Sequence, residues 1–137
     1  MSDLHSAMTV SAAGMRVQSE RQRVIAENVA NSDTTPVAPG QTPYARKVIT
    51  FQNELDRASG VTTVKIGRIS PDTRTPFPVK YMPGHPAANA AGYVQTPNVN
   101  TLIEMTDSRE ATRSYEANLG MYTQSRDMSQ RLVDMLR

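Results

Sequence analysis

Residues 92–137 read GYVQTPNVNTLIEMTDSREATRSYEANLGMYTQSRDMSQRLVDMLR. Beyond Pro97 this stretch has no proline, and its one later glycine is Gly120. Met105, Ser108, Thr112, Tyr115, Leu119, Tyr122, Arg126, Ser129, Val133 and Leu136 follow one another in alternating steps of three and four. That is the heptad seam by which one helix lies along another. Thr101 with Glu104 reads as a capping box, with Asn98 and Asn100 as rival caps. The spacing predicts a helix from Leu102 to Leu136, roughly 50 Å long at ~1.5 Å per residue. A helix of that length with a single apolar stripe requires a partner.

The other end of the chain supplies it. Ser2 or Asp3 can cap a helix reaching Asn31, in which Leu4, Met8, Ser11, Met15, Gln18, Gln22, Ile25 and Val29 repeat the same spacing. Val10, Val17 and Val24 form a second stripe, so this helix is expected to meet more than one neighbour. Gly14 lies inside it at a cost of about 1 kcal/mol relative to Ala. It is either a tolerated defect or a place where another backbone comes close. Gln18, Gln22, Arg126 and Ser129 put polar groups into the seams, which lowers stability and specifies register.

Between the helices the composition changes. All nine prolines lie from Pro36 to Pro97, and seven of the eight methionines lie outside that window. The expected organisation is an N-terminal helix over 1–35, a proline-rich β segment over 36–97 and a C-terminal helix over 98–137. The fold class is mainly α with a small β insert, the two helices packed as an antiparallel coiled coil. Asn31 and Pro36 end the first helix. Tyr44 to Phe51 and Val61 to Ile69 read as strands, Phe51 to Ser59 as a single helical turn, and Phe77, Val79 and Tyr81 as a third strand held to an edge by Pro78. Pro83-Gly84-His85-Pro86 is a tight turn in which Gly84 is expected to take a positive φ. A sheet of three such strands needs a helix to pack against.

Composition excludes several functions. The formal charge of +2 is nearly balanced, and Arg16 with Glu20, Arg23 with Glu27 and Asp127 with Arg131 make a solvated helix face. No basic block or aromatic platform suggests nucleic acid. With no cysteine there is neither a disulfide framework nor thiolate chemistry. No stretch approaches the roughly 20 apolar residues of a membrane helix. The start, MSDLHSAMTV, lacks the basic and apolar regions of a cleaved signal peptide. No catalytic motif appears, and neither His5 nor His85 has a His or Cys neighbour that would suggest a metal site. Glu104 and Asp107 share a helix face near an N-terminus, where carboxylates answer the macrodipole. No enzyme activity, cofactor or metal is expected.

Ser11-Ala12-Ala13-Gly14-Met15 and Ile25-Ala26-Glu27-Asn28-Val29-Ala30-Asn31 resemble the N-terminal signature of the bacterial flagellar axial proteins that form rod and hook. Tyr81-Met82-Pro83-Gly84-His85-Pro86, Gly92-Tyr93-Val94, Pro97-Asn98-Val99-Asn100, Glu104-Met105 and Ser114-Tyr115-Glu116-Ala117-Asn118 are similar, in order, to the proximal-rod branch of that family. The likeness spans essentially the whole chain. It departs at Met82, where the family has Asp, at Ala87 to Ala91, where an acidic run is usual, and at the polar Thr106 to Glu110.

The resemblance implies a structural subunit of the periplasmic rod, exported through the flagellar type III apparatus without a cleaved signal and transmitting torque through packed helices. It implies as neighbours copies of itself and the rod proteins FlgB, FlgF, FlgG and FliE. The expected assembly interface comprises Leu4, Met8, Ser11, Gly14, Met15, Ile25, Asn28, Val29 and Asn31 with Met105, Tyr115, Asn118, Leu119, Tyr122, Val133 and Leu136. A non-polymerising helical adaptor or export chaperone binding one partner helix is the alternative. The β insert, for which a simple adaptor has no need, favours the rod.

Overall fold

The computed structural model describes residues 2–137. Helix α1 spans Ser2–Ala30 and helix α2 Thr101–Met135, with strands β1 (Lys47–Asp56), β2 (Val61–Pro71), β3 (Val79–Tyr81) and β4 (Tyr93–Gln95) between them. The fold is thus mainly helical with a small β insert. Among the described residues no helix is long and apolar enough to cross a membrane. Contacts divide the chain into two compact units. One holds the residues up to Gln22 with Ile49–Arg68 and Ser108–Arg137; the other holds Arg23–Val48 and Ile69–Asp107.

In the first unit the helices run antiparallel. Gly14 faces Asn118 so closely that a Cβ on Gly14 would lie 2.7 Å from the Asn118 amide nitrogen. Further along, Gln22 Nε2 donates to the Ser108 carbonyl (2.8 Å) and to Thr112 Oγ1 (2.7 Å), while Ser108 Oγ donates to Gln22 Oε1 (2.9 Å). The glycine is therefore a site of close approach, though by the Asn118 side chain and not by another backbone, and Gln22 is one of the polar residues expected to set register.

The insert holds four strands in two separate two-stranded sheets rather than three in one. β1 starts later than expected and runs on through Glu54 and Leu55, where a helical turn was expected. One isolated helical turn carries the full nucleation cost. Pairing with β2 gives the same backbone groups partners, and Asp56 closes the hairpin by accepting from Ala58 N (3.0 Å) and Ser59 Oγ (2.7 Å).

In the second unit β3 pairs antiparallel with β4, Tyr81 opposite Tyr93. Their rings meet edge to face at 5.3 Å, an arrangement favoured by the ring quadrupoles. Tyr93 to Gln95 is too short to show an alternating pattern, so the sequence gives no strand signal there. The loop between these strands also corrects the expectation for Gly84, which has no positive φ and open space around it. Gly92 has φ +84°, and a Cβ there would lie 2.9 Å from the Tyr81 ring. His85 Nδ1 accepts from Ala87 N (3.0 Å), which leaves Nε2 to donate to Thr35 Oγ1 at 3.0 Å.

The expected order of damage in this loop follows. Gly92→Val combines left-handed strain with a steric clash and should cost about 2–3 kcal/mol. His85→Ala removes two hydrogen bonds and should cost about 1–2 kcal/mol. Gly84→Val should stay within about 0.5 kcal/mol. Thermal melting of the three variants checks the order.

Candidate assembly surface and the polar node of the helix ends

The seam between the helices does not lie where apolar spacing places it. The residues buried on α1 are Ser11, Gly14, Val17, Val24, Ile25 and Asn28, and those on α2 are Glu104, Ala111 and Ser125. On each helix one column of the expected heptad stays in place: Ser11 and Ile25 are buried, and Ser108, Tyr122 and Ser129 are half-buried. The other column moves by one residue, to Gly14 and Asn28 in place of Met15 and Val29, and to Glu104, Ala111, Asn118 and Ser125 in place of Met105, Thr112, Leu119 and Arg126. Gly14 holds its position because it has no side chain, which leaves room for the Asn118 amide against its backbone. The second stripe of α1 is buried at Val17 and Val24 but open at Val10.

The larger apolar side chains are displaced outward. Tyr115, Leu119 and Val133 are exposed on one flank of the α2 seam; Ile103, Met121, Met128 and Met135 are exposed on the other. Leu136, at the end of the chain, is 83% exposed. On α1, Leu4, Met8, Met15 and Val29 are half-buried, as are Asn31 just beyond its end and Asn118 on α2. The methionine row was visible in the sequence as a seven-residue repeat, Met121, Met128, Met135.

In the second unit the last turn of α1, the first turn of α2 and the start of β1 meet in a polar node. Asn28 is 1% exposed and Glu104 0%. Asn28 Oδ1 accepts from Lys47 N (2.9 Å) and from Tyr44 Oη (2.8 Å). Its Nδ2 donates to the Lys47 carbonyl (3.0 Å) and to Glu104 Oε2 (3.3 Å). The amide thus pairs with the Lys47 backbone as a neighbouring strand would. Arg46 Nε donates to Glu104 Oε1, and its Nη2 lies 3.6 Å from Asp107 Oδ2. Glu104 is therefore the buried partner of Arg46 and not the second half of a capping box; α2 is capped by Asn100, whose Oδ1 accepts from Leu102 N (3.1 Å) and Ile103 N (3.4 Å).

A second asparagine braces the same segment. Asn98 Oδ1 accepts from Arg46 N (2.7 Å), and its Nδ2 donates to the carbonyls of Asp72 (3.3 Å) and Thr75 (3.0 Å). Nothing in the spacing of these residues announced the node, because its members come from three distant stretches.

Beside it, Glu27 accepts from Lys47 Nζ (2.8 Å) and Arg23 (2.7 Å). The Lys47 hydrogen bond, and then the charges of Lys47 and Arg23, hold the Glu27 carboxyl below its usual range. The same hydrogen bond and the Glu27 charge raise Lys47 above its own. A depressed carboxylate contributes stability that is present above its unfolded pKa and lost as pH falls through its folded value. A raised lysine contributes stability that is present below its unfolded pKa and lost as pH rises through its folded value. Melting temperature should therefore fall on acidification below about pH 4. Glu27→Gln should flatten that fall, as thermal melts across an acid pH series will show.

A family profile described as "Flagellar basal body rod FlgEFG protein C-terminal" matches residues 90–135. The flagellar basal-body rod protein FlgC of Agrobacterium fabrum is 47% identical over 137 residues, which cover all of this chain and 98% of that protein. The chain belongs to the FlgC family of flagellar basal-body rod proteins. The FlgC protein of Bacillus subtilis is 35% identical over 150 residues, covering 98% of this chain and 99% of that one. The FlgC protein of Salmonella typhimurium is 38% identical over 112 residues, covering 80% of this chain and 81% of the relative. As a rod protein of the FlgC family, the chain is a structural component of the flagellar basal body, alongside other rod proteins. The node residues Asn28, Asn98 and Glu104 lie in the stretches that resemble the axial proteins, and here each has a structural role.

Proposed function

We propose that this rod component polymerises through its terminal helices into the periplasmic part of the rod, and that the polymer transmits torque. The observation that carries the reading is the apolar rows left open on both flanks of the α2 seam. Folding one chain does not cover them, and heterologous contacts that do not close on themselves build a tube. In this reading residues 1–35 and 98–137 form the rod core, and 36–97 stand outside as spacer and lateral contact.

The contact surface is formed by Leu4, Met8, Met15 and Val29 with Met105, Tyr115, Leu119, Tyr122, Val133 and Leu136, extended by Met121, Met128 and Met135. Ser11, Gly14, Ile25, Asn28, Asn31 and Asn118 support it from within. The turn Pro83, Gly84, His85 and Pro86 lies on the spacer. The neighbours are copies of this chain and FlgB, FlgF, FlgG and FliE, delivered by the type III export apparatus without a cleaved signal.

A null strain tests this. It should be non-motile and lack the rod, hook and filament in isolated basal bodies, with motility restored by the gene in trans. A complete hook and filament in that strain would overturn the proposal.

A further inference from the structure

We propose that Asn28, Glu104 and Arg46 act as a register lock, selecting one antiparallel alignment of α1 on α2 and tying β1 to that alignment. Apart from Gln22, which clasps Ser108 and Thr112, much of the seam discriminates poorly between alignments. Ser11, Gly14, Ala111 and Ser125 are small, and small residues pack against one another in more than one register. The node is different in kind. Glu104 is fully buried, with one carboxylate oxygen on Arg46 and the other on Asn28. Asn28 has all four of its hydrogen-bonding positions filled, by three different residues.

A slip of one residue rotates a helical side chain by about 100°. Such a slip would carry Glu104 away from both partners and leave a buried carboxylate unpaired, which is heavily penalised. Arg46 lies one residue before β1, and the next residue, Lys47, is bound through its backbone to Asn28. A chain with the helices misaligned therefore cannot seat β1 either. A buried ion pair of this kind stabilises little against an apolar replacement, and its best-attested role is to fix register. The inference does not depend on whether the chain polymerises.

Stability and register can be separated by experiment. The chain has no cysteine, so spin labels can be placed on the full-length protein at Ala26→Cys and Thr106→Cys, both exposed. Their distance distribution is read by pulsed electron paramagnetic resonance, with thermal melting alongside. In the otherwise unsubstituted chain one narrow distance is expected. Arg46→Met with Glu104→Leu should keep or raise the melting temperature yet give two or more distances. Arg113→Ala, exposed and outside the cluster, should retain the single distance. A single unchanged distance in the double variant would overturn the lock. Failure of the double variant to fold would also overturn it, because the cluster would then be needed for stability. So would several distances in Arg113→Ala, or no defined distance in the unsubstituted chain.

Discussion

Replacing Asn28 by leucine is expected to lower stability by about 3–5 kcal/mol, through buried polar groups that each cost about 1–3 kcal/mol when left unpaired. Leucine is larger than asparagine, so no cavity opens, and the loss comes from hydrogen bonding with some crowding added. The Lys47 N–H and carbonyl lose their partner together, Tyr44 Oη loses its acceptor, and Glu104 keeps only Arg46. Asn28→Asp should be no rescue. A carboxylate can accept from Lys47 N and Tyr44, but it cannot donate to the Lys47 carbonyl, and it sets a second negative charge against Glu104. The urea midpoint should fall in both variants with little change in slope. A loss below 1 kcal/mol for either would show that the node is not a stabilising centre.

The second large effect separates what one chain buries from what an assembly covers. Ala111 is 0% exposed in the seam, whereas Leu119 is 45% exposed on its flank. Ala111→Asp places an unpaired charge between the helices and should destabilise the isolated chain by several kcal/mol, on the order of 3–5. Leu119→Asp should leave the melting temperature within about 2 °C, since exposed substitutions far from special features cost little, yet abolish incorporation into basal bodies. Arg113→Ala, also exposed, should affect neither. Stability from melts and incorporation by immunoblotting of purified basal bodies give the two readouts. If Leu119→Asp incorporates normally, that flank is not a contact surface.

The helices were legible because Leu, Val, Ile and Met recur with helical spacing and proline is confined to the middle. The exact seam was not legible. Ranking positions by apolarity selects Met105, Leu119 and Val133, while burial between the helices selects Gly14, Ala111 and Ser125. The first criterion describes a surface awaiting cover, and the second describes a surface already covered. β1 was found but not its length, because partners for Glu54 and Leu55 come from a strand that local propensity cannot see. β4 was missed for its brevity. Glu104 was placed in a capping box because Thr101 stands three residues before it, a local pattern overridden by Arg46 from a distant segment. Asn28 stood out only through resemblance, and Asn98 through resemblance and as a rival cap; their hydrogen bonds supply the physical reason for the motif.

The small side chains of the seam also set the calorimetry. The buried apolar residues of the described chain are Val17, Val24, Ile25, Ala87, Val94 and Ala111. Unfolding raises heat capacity in proportion to apolar surface released and lowers it for polar surface, with a usual net of about 12–15 cal/mol/K per residue. A chain whose interior is this short of apolar side chains releases little of the first kind. Its heat-capacity increment should fall below that range, so its free-energy curve is shallow and its stability changes gently between cold and warm growth temperatures.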